Sequence, residues 1–359
     1  WDTPLQPSTE GRMKFLVWLD SVGYGKAALG WYVVRALEDL GHEVRILDYA
    51  NYARPLPRTF LDKVLRRLRL LLGPHPRDRR MNRDLLEAVQ AWRPQVLLVT
   101  KGNPIFPQTL QRLRGREGCP LLFNWMPDDP FHRRYASPML RASIPLYDVW
   151  LLPVRARIAP LEQAGARRTA FLPFACDPAV HRPIPLAPVE RERWRSQICF
   201  VGTGYPERAA LLERLAGWDL AVWGERWDLR WTGPRLRARL RGGGIYLDDM
   251  ARAYCAADIV LNVSQAQDGP GLNMRTFEVL GCKAFLLNER KSEGLALFQE
   301  GVDWACYADV DELLAQVEHY LAHPAERQRI AEHGQATVYA GHTYRHRMAE
   351  VVALAESLR

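Results

Sequence analysis

The sequence predicts an α/β protein of two domains, each built on a parallel β-sheet flanked by helices. Three observations support this prediction. The chain has 359 residues, about twice the length of a typical ~150-residue domain. A strand, a glycine turn and a helix follow one another near residue 14 and again from residue 196. Residues 173–194 lie between the two halves and are rich in proline and poor in periodicity, as linkers are.

The N-terminal half begins with a strand, a helix and a second strand. Residues 14–20 form a short apolar run that is typical of a buried strand, and residues 21–41 read as a glycine turn followed by a helix. Residues 42–49 then form the second strand. This order requires a crossover connection and therefore implies parallel strands. Further strands are expected within the segments 96–102, 119–130, 148–154 and 167–174.

The C-terminal half repeats the alternation of strands and helices. Strands are expected at the start of 196–217, over 219–225 and at the ends of 241–264 and 269–288, and the last segments are helical. Residues before Met13 are polar and lack periodicity, so we expect them to lie outside the fold as a remnant of cloning or processing. The predicted divisions are 1–12 outside the fold, an N-terminal domain over 13–174, a linker over 175–195, a C-terminal domain over 196–340 and a closing helix over 341–359.

Composition narrows the function only slightly. The net charge is +8, and only six of the 49 basic residues are lysines. Such a surplus suits nucleic acid, an anionic membrane or a phosphorylated ligand, but coding or thermal bias explains it equally well. The six scattered cysteines form no CxxC pair, which argues against a disulfide framework and a zinc ribbon. No run of ~18 apolar residues predicts a transmembrane helix, and we expect a cytoplasmic protein.

Several stretches resemble one known family. They are LPFACDPAVHRP (172–183), ICFVGTGYPERAALLERL (198–215), CAADIVLNV (255–263), the segment 269–301, and HTYRHRM (342–348). Together they resemble GT-B glycosyltransferases, and among them the CgeB-type (spore maturation protein-like) branch of the group-1 family. The likeness covers about 170–350 and is weaker in the N-terminal half, where the DDP at 128–130 is its main point.

The resemblance implies a fold, an activity and a division of labour. The fold would be GT-B, with two Rossmann-like domains facing a cleft and a C-terminal helix that crosses back to the N-terminal domain. The C-terminal domain would bind a nucleotide-diphosphate sugar such as a UDP-, dTDP- or GDP-sugar. The N-terminal domain would bind the acceptor, which is a glycan, a lipid-linked molecule or another hydroxyl compound. No metal and no other cofactor is expected.

The loop and helix over 269–278 are the strongest signal for donor binding. Small residues let the backbone approach a ligand closely, and a helix N-terminus directs free N–H groups and positive dipole toward a diphosphate. Glu278 is expected to accept the ribose hydroxyls, and Arg275 is expected to pair with the diphosphate or with Glu278. Related retaining enzymes carry a second glutamate where this chain has Pro270, so the stereochemical outcome stays open. The donor residues predicted in this segment are Gly271, Leu272, Asn273, Arg275 and Glu278.

A second donor-binding turn is expected after the strand at 198–201. Gly202, Thr203 and Gly204 form a bare GxG, which a tight strand–helix turn explains as well as a phosphate site does. Arg208 lies at the helix start, where a cation opposes the helix dipole, and this misfit favours a phosphate role. Trp223 ends the next strand, where it either flanks the base or packs in the core.

The catalytic base is expected in the N-terminal domain. Asp128 and Asp129 follow a strand, so their carboxylates should project at the carboxyl edge of the sheet, where α/β sites lie. An inverting transferase needs a base for the acceptor hydroxyl, and these aspartates are the candidates, with His132 nearby; an Asx turn before Pro130 is the alternative. A loop that contacts acceptor or donor is expected at Gly23, Tyr24, Gly25 and Lys26.

Other patterns have simpler structural explanations. Asp309 with Glu312 is better explained as a helix cap than as a DxD metal site. The i,i+4 pairs His319/His323 and His342/His346 lack the HExxH glutamate and are expected to be solvated or packed. The sequon at Asn262 falls on a predicted core strand.

The segment 59–80 combines an apolar helical face with a basic one. It fits an ordinary core-facing helix, and it also fits peripheral contact with the inner face of a membrane.

The leading hypothesis is therefore a metal-independent Leloir hexosyltransferase. Two other classes remain open: a nucleotide-sugar epimerase or phosphorylase on the same fold, and a non-catalytic protein that binds nucleotide-sugar or nucleic acid. No helix-turn-helix, RNP or zinc-finger pattern supports nucleic acid, so we expect no nucleic-acid partner.

Overall fold

The protein is described by a computed structural model over residues 11–52, 75–115, 118–132, 135–265 and 268–359. The chain forms two compact units. The first comprises Trp1–Leu172 with Met348–Arg359, and the second comprises Pro173–Arg347. Each unit contains one parallel six-stranded sheet.

The first sheet has the strand order β2-β1-β3-β4-β5-β6. Every described pairing in it is parallel. All residues of β3 are buried, as expected for a parallel strand that is covered on both faces. Its strands are β1 (Lys14–Leu19), β2 (Glu43–Asp48), β3 (Val96–Thr100), β4 (Leu121–Trp125), β5 (Val149–Leu152) and β6 (Thr169–Phe171).

The second sheet has the order β12-β11-β10-β7-β8-β9, again with parallel pairings. Its hydrophobic core combines aliphatic residues of the central strands with Phe200, Phe285 and Tyr320. Its strands are β7 (Ser196–Val201), β8 (Leu220–Trp223), β9 (Leu240–Gly242), β10 (Ala257–Asn262), β11 (Leu286–Glu289) and β12 (Ala305–Tyr307).

Helices connect the strands in both units. Seven of the helices in the described residues begin at a proline, whose fixed φ and missing N–H suit the first helical position. The described helices are α1 (Leu29–Asp39), α2 (Pro76–Trp92), α3 (Pro107–Arg114), α4 (Pro138–Ser143), α5 (Ile158–Gln163), α6 (Pro188–Trp194), α7 (Pro206–Leu215), α8 (Pro234–Arg237), α9 (Leu247–Ala256), α10 (Met274–Gly281), α11 (Ser292–Leu295), α12 (Val310–Ala322), α13 (Pro324–Gly341) and α14 (Tyr344–Ser357).

One predicted segment differs in detail from the observed structure. The stretch expected as a linker, 175–195, contains the helix α6 and belongs to the second unit. Within it, Cys176 also forms a bridge with Thr343, because the backbone N–H of Cys176 donates to the carbonyl of His342. Low periodicity in this stretch reflects a short, proline-started helix and a bridge too brief to leave a pattern in the sequence.

Helix α14 begins in the second unit, and its residues from Met348 onward belong to the first. Most of the basic amphipathic segment, 59–74, lies outside the described residues, and its last residues open α2. Among the described helices, none has the length and apolar character required to cross a membrane.

Candidate functional site

Both sheets have a point at which the strand order reverses, and polar side chains lie there. In open α/β sheets, ligands bind beyond the carboxyl ends of the strands at such a switch point. The reversal falls between β7 and β10 in the second sheet, and between β1 and β3 in the first. The segments that follow these four strands therefore contain most of the candidate site residues, while Asp128 and Asp129 follow the neighbouring strand β4.

Arg208 bridges the switch point of the second sheet. Its guanidinium donates to the carbonyl of Val263 from Nε at 3.1 Å and from Nη2 at 2.6 Å, and to the carbonyl of Thr203 at 2.9 Å. The side chain is buried, with 3% of the residue exposed. Burial, followed by repulsion from Arg275, lowers the pKa of Arg208 to about 10. The residue thus joins the segment after β7 to the segment after β10 and leaves a positive charge there.

Arg275 lies next to Arg208 in the first turn of α10. A Cβ on Gly202 would lie 3.4 Å from Arg275 Nη2, so the guanidinium lies against the turn after β7. Its Nε is buried and has no hydrogen-bond partner among the described residues, and the same holds for the hydroxyl of Tyr254. In the described part of the chain, neither Arg208 nor Arg275 has a carboxylate within 4 Å. Two neighbouring cations without an acidic partner form a site that suits an anion.

The GxG turn is held mainly by packing. The N–H of Gly202 donates to the carbonyl of Trp223, and that of Gly204 donates to the carbonyl of Glu225. A Cβ on Gly204 would lie 2.6 Å from the carbonyl oxygen of Arg226 and 2.8 Å from the Trp227 ring. Glycine is therefore required by the close approach of this loop, and the two glycine amides are already used within the fold.

Trp223 itself packs against Trp194, with the ring centroids 5.3 Å apart. This contact matches the core interpretation of Trp223.

The loop before α10 is fixed by its own contacts. The N–H of Gly271 donates to the carbonyl of Asp268, and Leu272 is buried with its Cδ2 near Gly294. Asn273 is the N-cap residue of α10, but its side chain makes no capping hydrogen bond. The N–H groups of the first turn of α10 therefore have no side-chain cap and are available to an anion.

A buried cluster of amides holds the start of α10 to the sheet. Asn262 Nδ2 donates to Asn273 Oδ1 at 3.0 Å, to Thr276 Oγ1 at 3.2 Å and to Asn288 Oδ1 at 2.7 Å. Thr276 in turn donates to Asn288 at 3.2 Å. The cluster ties the ends of β10 and β11 to the helix. Only Asn273 was expected in the site, because the other three residues read as parts of two strands and a helix.

Glu278 is buried in the second turn of α10. Burial raises the pKa of its carboxyl group, and the charge of Arg275 opposes this effect. His181 Nε2 lies 4.0 Å from Glu278 Oε1. The carboxylate thus lies on the same helix as Arg275 and beside a buried histidine that the sequence did not single out.

The switch point of the first sheet is acidic. Lys101 follows β3 and forms an ion pair with Asp128, with Nζ 3.0 Å from Oδ2. Burial tends to lower the pKa of Lys101, but the Asp128 carboxylate outweighs it and the pKa is raised. Asp20, which follows β1, has a pKa raised by burial against the opposing charge of Lys101. Two carboxylates therefore face one lysine here.

The sequence pointed to Asp128 and not to Lys101 or Asp20. The available signal was that Asp20 is the last residue of the predicted strand 14–20 and that Lys101 lies near the end of the strand segment 96–102.

The other residues predicted for the N-terminal part of the site differ in their contacts. Asp129 Oδ1 accepts the N–H of Phe131 at 2.9 Å, which is the Asx turn that was the alternative for this residue. The His132 ring lies 5.9 Å from that of Tyr135. Gly23 and Gly25 have positive φ, and Tyr24 and Lys26 between and after them are exposed. This loop follows β1 and leaves both side chains accessible.

The motifs for which the sequence suggested a structural explanation are found mainly in structural roles. Asp309 Oδ1 accepts the N–H of Glu312 at 2.9 Å, which confirms the helix cap. Asn262 is buried in β10, which confirms that the sequon lies in the core. His319 and His323, however, lie with Glu326 so that one potential ligand atom of each is within 4.8 Å of the others.

The chain was compared with models of protein families, with curated proteins and with solved structures. Residues 208–353 match the family model described as glycosyl transferase-like. No curated protein matches the sequence.

Three similar solved structures cover nearly the whole chain at 13% identity. Sucrose-phosphate synthase (tll1590) from Thermosynechococcus elongatus has a TM-score of 0.65 and covers 97% of this chain and 99% of its own. Anabaena Alr3699/HepE in complex with UDP-glucose has a TM-score of 0.65 and covers 97% and 100%. The trehalose-6-phosphate synthase OtsA has a TM-score of 0.64 and covers 96% and 99%. The predicted GT-B fold is therefore confirmed, and residues 208–353 match a glycosyl transferase-like family.

Proposed function

We propose that this protein is a glycosyltransferase that moves a sugar from a nucleotide-diphosphate donor to an acceptor hydroxyl. One observation carries the proposal: the guanidinium groups of Arg208 and Arg275 lie together at the switch point of the second sheet without an acidic partner among the described residues. A diphosphate is the anion that would satisfy both charges and the uncapped first turn of α10.

The roles of the two arginines differ in this proposal. Arg208 is occupied by the carbonyls of Thr203 and Val263, so it positions both loops and supplies positive charge to the site. Arg275, whose Nε has no partner in the described chain, makes the direct contact. As the sugar leaves, negative charge grows on the diphosphate, and fixed cations stabilise it most in the transition state. These cations can supply the compensating charge, so we propose that transfer needs no metal ion.

Glu278 and Asp128 complete the assignment. Glu278 lies one helical turn beyond Arg275, and we assign its carboxylate to the ribose hydroxyls. Asp128 is the proposed base for the acceptor hydroxyl in an inverting reaction, with Lys101 as its partner. The acceptor is a glycan, a lipid-linked molecule or another hydroxyl compound. The similarity to a protein solved with UDP-glucose makes UDP-glucose the first donor to test.

A nucleotide screen tests the proposal directly. Thermal unfolding is followed with UDP, GDP, dTDP and ADP, and at least one of them should raise the melting temperature. The matching nucleotide-sugar is then incubated with candidate acceptors in EDTA, and the anomeric proton of the product is read by NMR. No stabilisation by any nucleotide, together with tight, salt-sensitive DNA binding, would refute the transferase assignment.

A further inference from the structure

The buried histidine beside Glu278 has a defined orientation. His181 is fully buried in the segment before α6, and its Nε2 lies 4.0 Å from Glu278 Oε1. Its Nδ1 accepts a hydrogen bond from the backbone N–H of Asp177 at 2.9 Å. A ring nitrogen that accepts carries no hydrogen, so in the neutral ring the proton is on Nε2. The N–H of the imidazole therefore faces the carboxylate.

The backbone around His181 is held firmly against α10. The N–H of His181 donates to the carbonyl of Asp177 at 2.7 Å, and the hydroxyl of Tyr339 donates to the carbonyl of His181 at 2.9 Å. A Cβ on Gly281 would lie 2.9 Å from that same carbonyl oxygen. The ring thus has little freedom to move away from the helix that carries Glu278.

We propose that His181 is a positioning residue that orients the Glu278 carboxylate for the ribose hydroxyls and thereby sets the preference for ribonucleotides. This inference rests on the proposed function. A small movement brings Nε2–H within hydrogen-bond distance of one carboxylate oxygen, which leaves the other oxygen for the ligand. A site built to bond a hydroxyl discriminates against the analogue that lacks it, because its polar group is then left unpaired.

Two substitutions distinguish the contributions of the two ring nitrogens of His181. The amide oxygen of His181→Asn can replace Nδ1 as the acceptor from Asp177, but the side chain is too short to reach Glu278. The longer His181→Gln can place an N–H group near the position of Nε2. Affinities are measured for UDP and 2′-deoxy-UDP, or for the corresponding pair of whichever ribonucleotide stabilises the protein in the screen.

The ratio of the two affinities is the decisive quantity. We expect the unaltered protein to prefer the ribonucleotide by roughly tenfold or more, His181→Asn to show a ratio near one, and His181→Gln to recover part of the preference. A ratio unchanged in His181→Asn overturns the inference while the proposed function stands. If no nucleotide binds the unaltered protein, both fall. If His181→Asn does not fold, His181→Gln decides, since loss of the preference there overturns the inference.

A separate observation concerns the junction of α12 and α13. His319 Nε2 lies 2.9 Å from Glu326 Oε2, and the ring of His323 stacks on that of His319 with centroids 4.2 Å apart. His323 Nδ1 lies 2.6 Å from the carbonyl oxygen of His319, so it is the protonated nitrogen. A histidine that donates one N–H to a carbonyl has its other nitrogen free for a metal, as metal-bound histidines do.

From this arrangement we infer that His319, His323 and Glu326 bind Zn²⁺ and join the end of α12 to the start of α13. Histidine nitrogens and a carboxylate oxygen are ordinary zinc ligands, and three protein ligands leave one position for water. The histidines are exposed, so the ion would enter from solvent.

Zinc binding to the full chain tests this second inference. Zn²⁺ alone is titrated by calorimetry after the protein has been stripped with a chelator, and melting temperatures are compared. We expect a rise of about 2–4 °C at saturation, and a loss of affinity on the order of tenfold or more in His323→Ala and in Glu326→Gln.

The matched control is His346→Ala, which removes the other i,i+4 histidine pair. In that pair each Nδ1 already contacts a side chain, Arg347 for His342 and Thr343 for His346. The control should bind zinc like the unaltered protein. Equal affinity in all variants, or no saturable binding, overturns the inference.

Discussion

The switch points of the two sheets share an architecture and differ in charge. At the first, the carboxylates of Asp20 and Asp128 lie around the single ammonium of Lys101. At the second, Arg208 and Arg275 lie together without a carboxylate within 4 Å in the described chain. Both sites lie beyond the carboxyl ends of parallel strands at a reversal of strand order.

This difference shows where the chemistry of such a fold resides. The strand order places a site, while the side chains after the strands decide whether it accepts a proton or holds an anion. An acidic site suits a hydroxyl that must lose a proton, and a cationic site suits a diphosphate that gains charge. Substitutions at each switch point should therefore change different measured quantities.

The largest effect is expected from Asp128→Asn. If Asp128 takes the proton of the acceptor hydroxyl, kcat should fall by about 10²–10⁴-fold while the affinity for donor stays unchanged. Steady-state kinetics with the donor identified in the nucleotide screen measures this. Asp129→Asn is the control, because its amide oxygen can still accept the N–H of Phe131. If kcat falls in Asp20→Asn and not in Asp128→Asn, the base is the other carboxylate.

At the cationic site, Arg208→Ala should chiefly destabilise the protein. The substitution leaves the carbonyls of Val263 and Thr203 without their donor and opens a cavity, which costs about 2–4 kcal/mol in the free energy of unfolding. Urea unfolding measures the loss. Arg214→Ala on the exposed side of the same helix should stay within about 0.5 kcal/mol. A loss below about 1 kcal/mol in Arg208→Ala would contradict the bridging role.

The sequence patterns predicted the two-domain α/β architecture. They did not predict which role each site residue has. Short apolar runs and glycine turns predict the six strands of the first sheet and four strands of the second, because burial on both faces leaves a continuous apolar signal. The three-residue strands β9 and β12 were not predicted. Arg275 and Glu278 were expected in the site and lie on one short helix of it. The sequence could not show that Arg208 is occupied by two carbonyls, because the carbonyl of Val263 is 55 positions away along the chain.

The residues that sequence reasoning missed lack a local signature. Lys101 pairs with Asp128 only because β3 and β4 are neighbours, and His181 approaches Glu278 only through packing of its segment on α10. Asn262 is the last residue of β10 and Asn288 is the next-to-last residue of β11, and a buried amide there resembles any polar residue before a loop. Long-range packing, not composition, selects these residues.

Arg275→Gln separates binding from stability at the cationic site. Loss of a direct charged contact with the diphosphate should weaken donor nucleotide binding by about 10–100-fold. The free energy of unfolding should change little, because Arg208 loses a like-charged neighbour while the Glu278 carboxylate loses a favourable one. Calorimetric titration and thermal unfolding measure the two quantities. Arg230→Gln, an exposed arginine paired with Asp228, is the control and should bind like the unaltered protein. Equal affinities in both variants would remove Arg275 from the donor site.

The smallest effect is expected for the stability of Glu278→Gln without ligand, which should exceed that of the unaltered protein at neutral pH. Burial raises the pKa of Glu278 in the folded state. The folded protein therefore holds this proton more tightly than the unfolded chain does, and stability falls as pH rises from about 4.5 through the raised pKa. Glutamine has no such titration, so Glu278→Gln should be the more stable protein at pH 7.

The difference in stability between Glu278→Gln and the unaltered protein should be smallest near pH 4, where the folded carboxyl and most of the unfolded chains are protonated. Thermal unfolding of both proteins between pH 4 and 8 measures it.

Glu332 provides a control of opposite sign. Hydrogen bonds from Lys283 and Gln328 lower the pKa of its exposed carboxyl group, so Glu332→Gln should give no gain at neutral pH. If the difference in stability between Glu278→Gln and the unaltered protein does not depend on pH, burial does not raise the pKa of this carboxyl group. In that case a hydrogen bond from a ligand hydroxyl to Glu278 would contribute less binding free energy. The buried carboxylate beside Arg275 would then be a weaker candidate for the ribose contact.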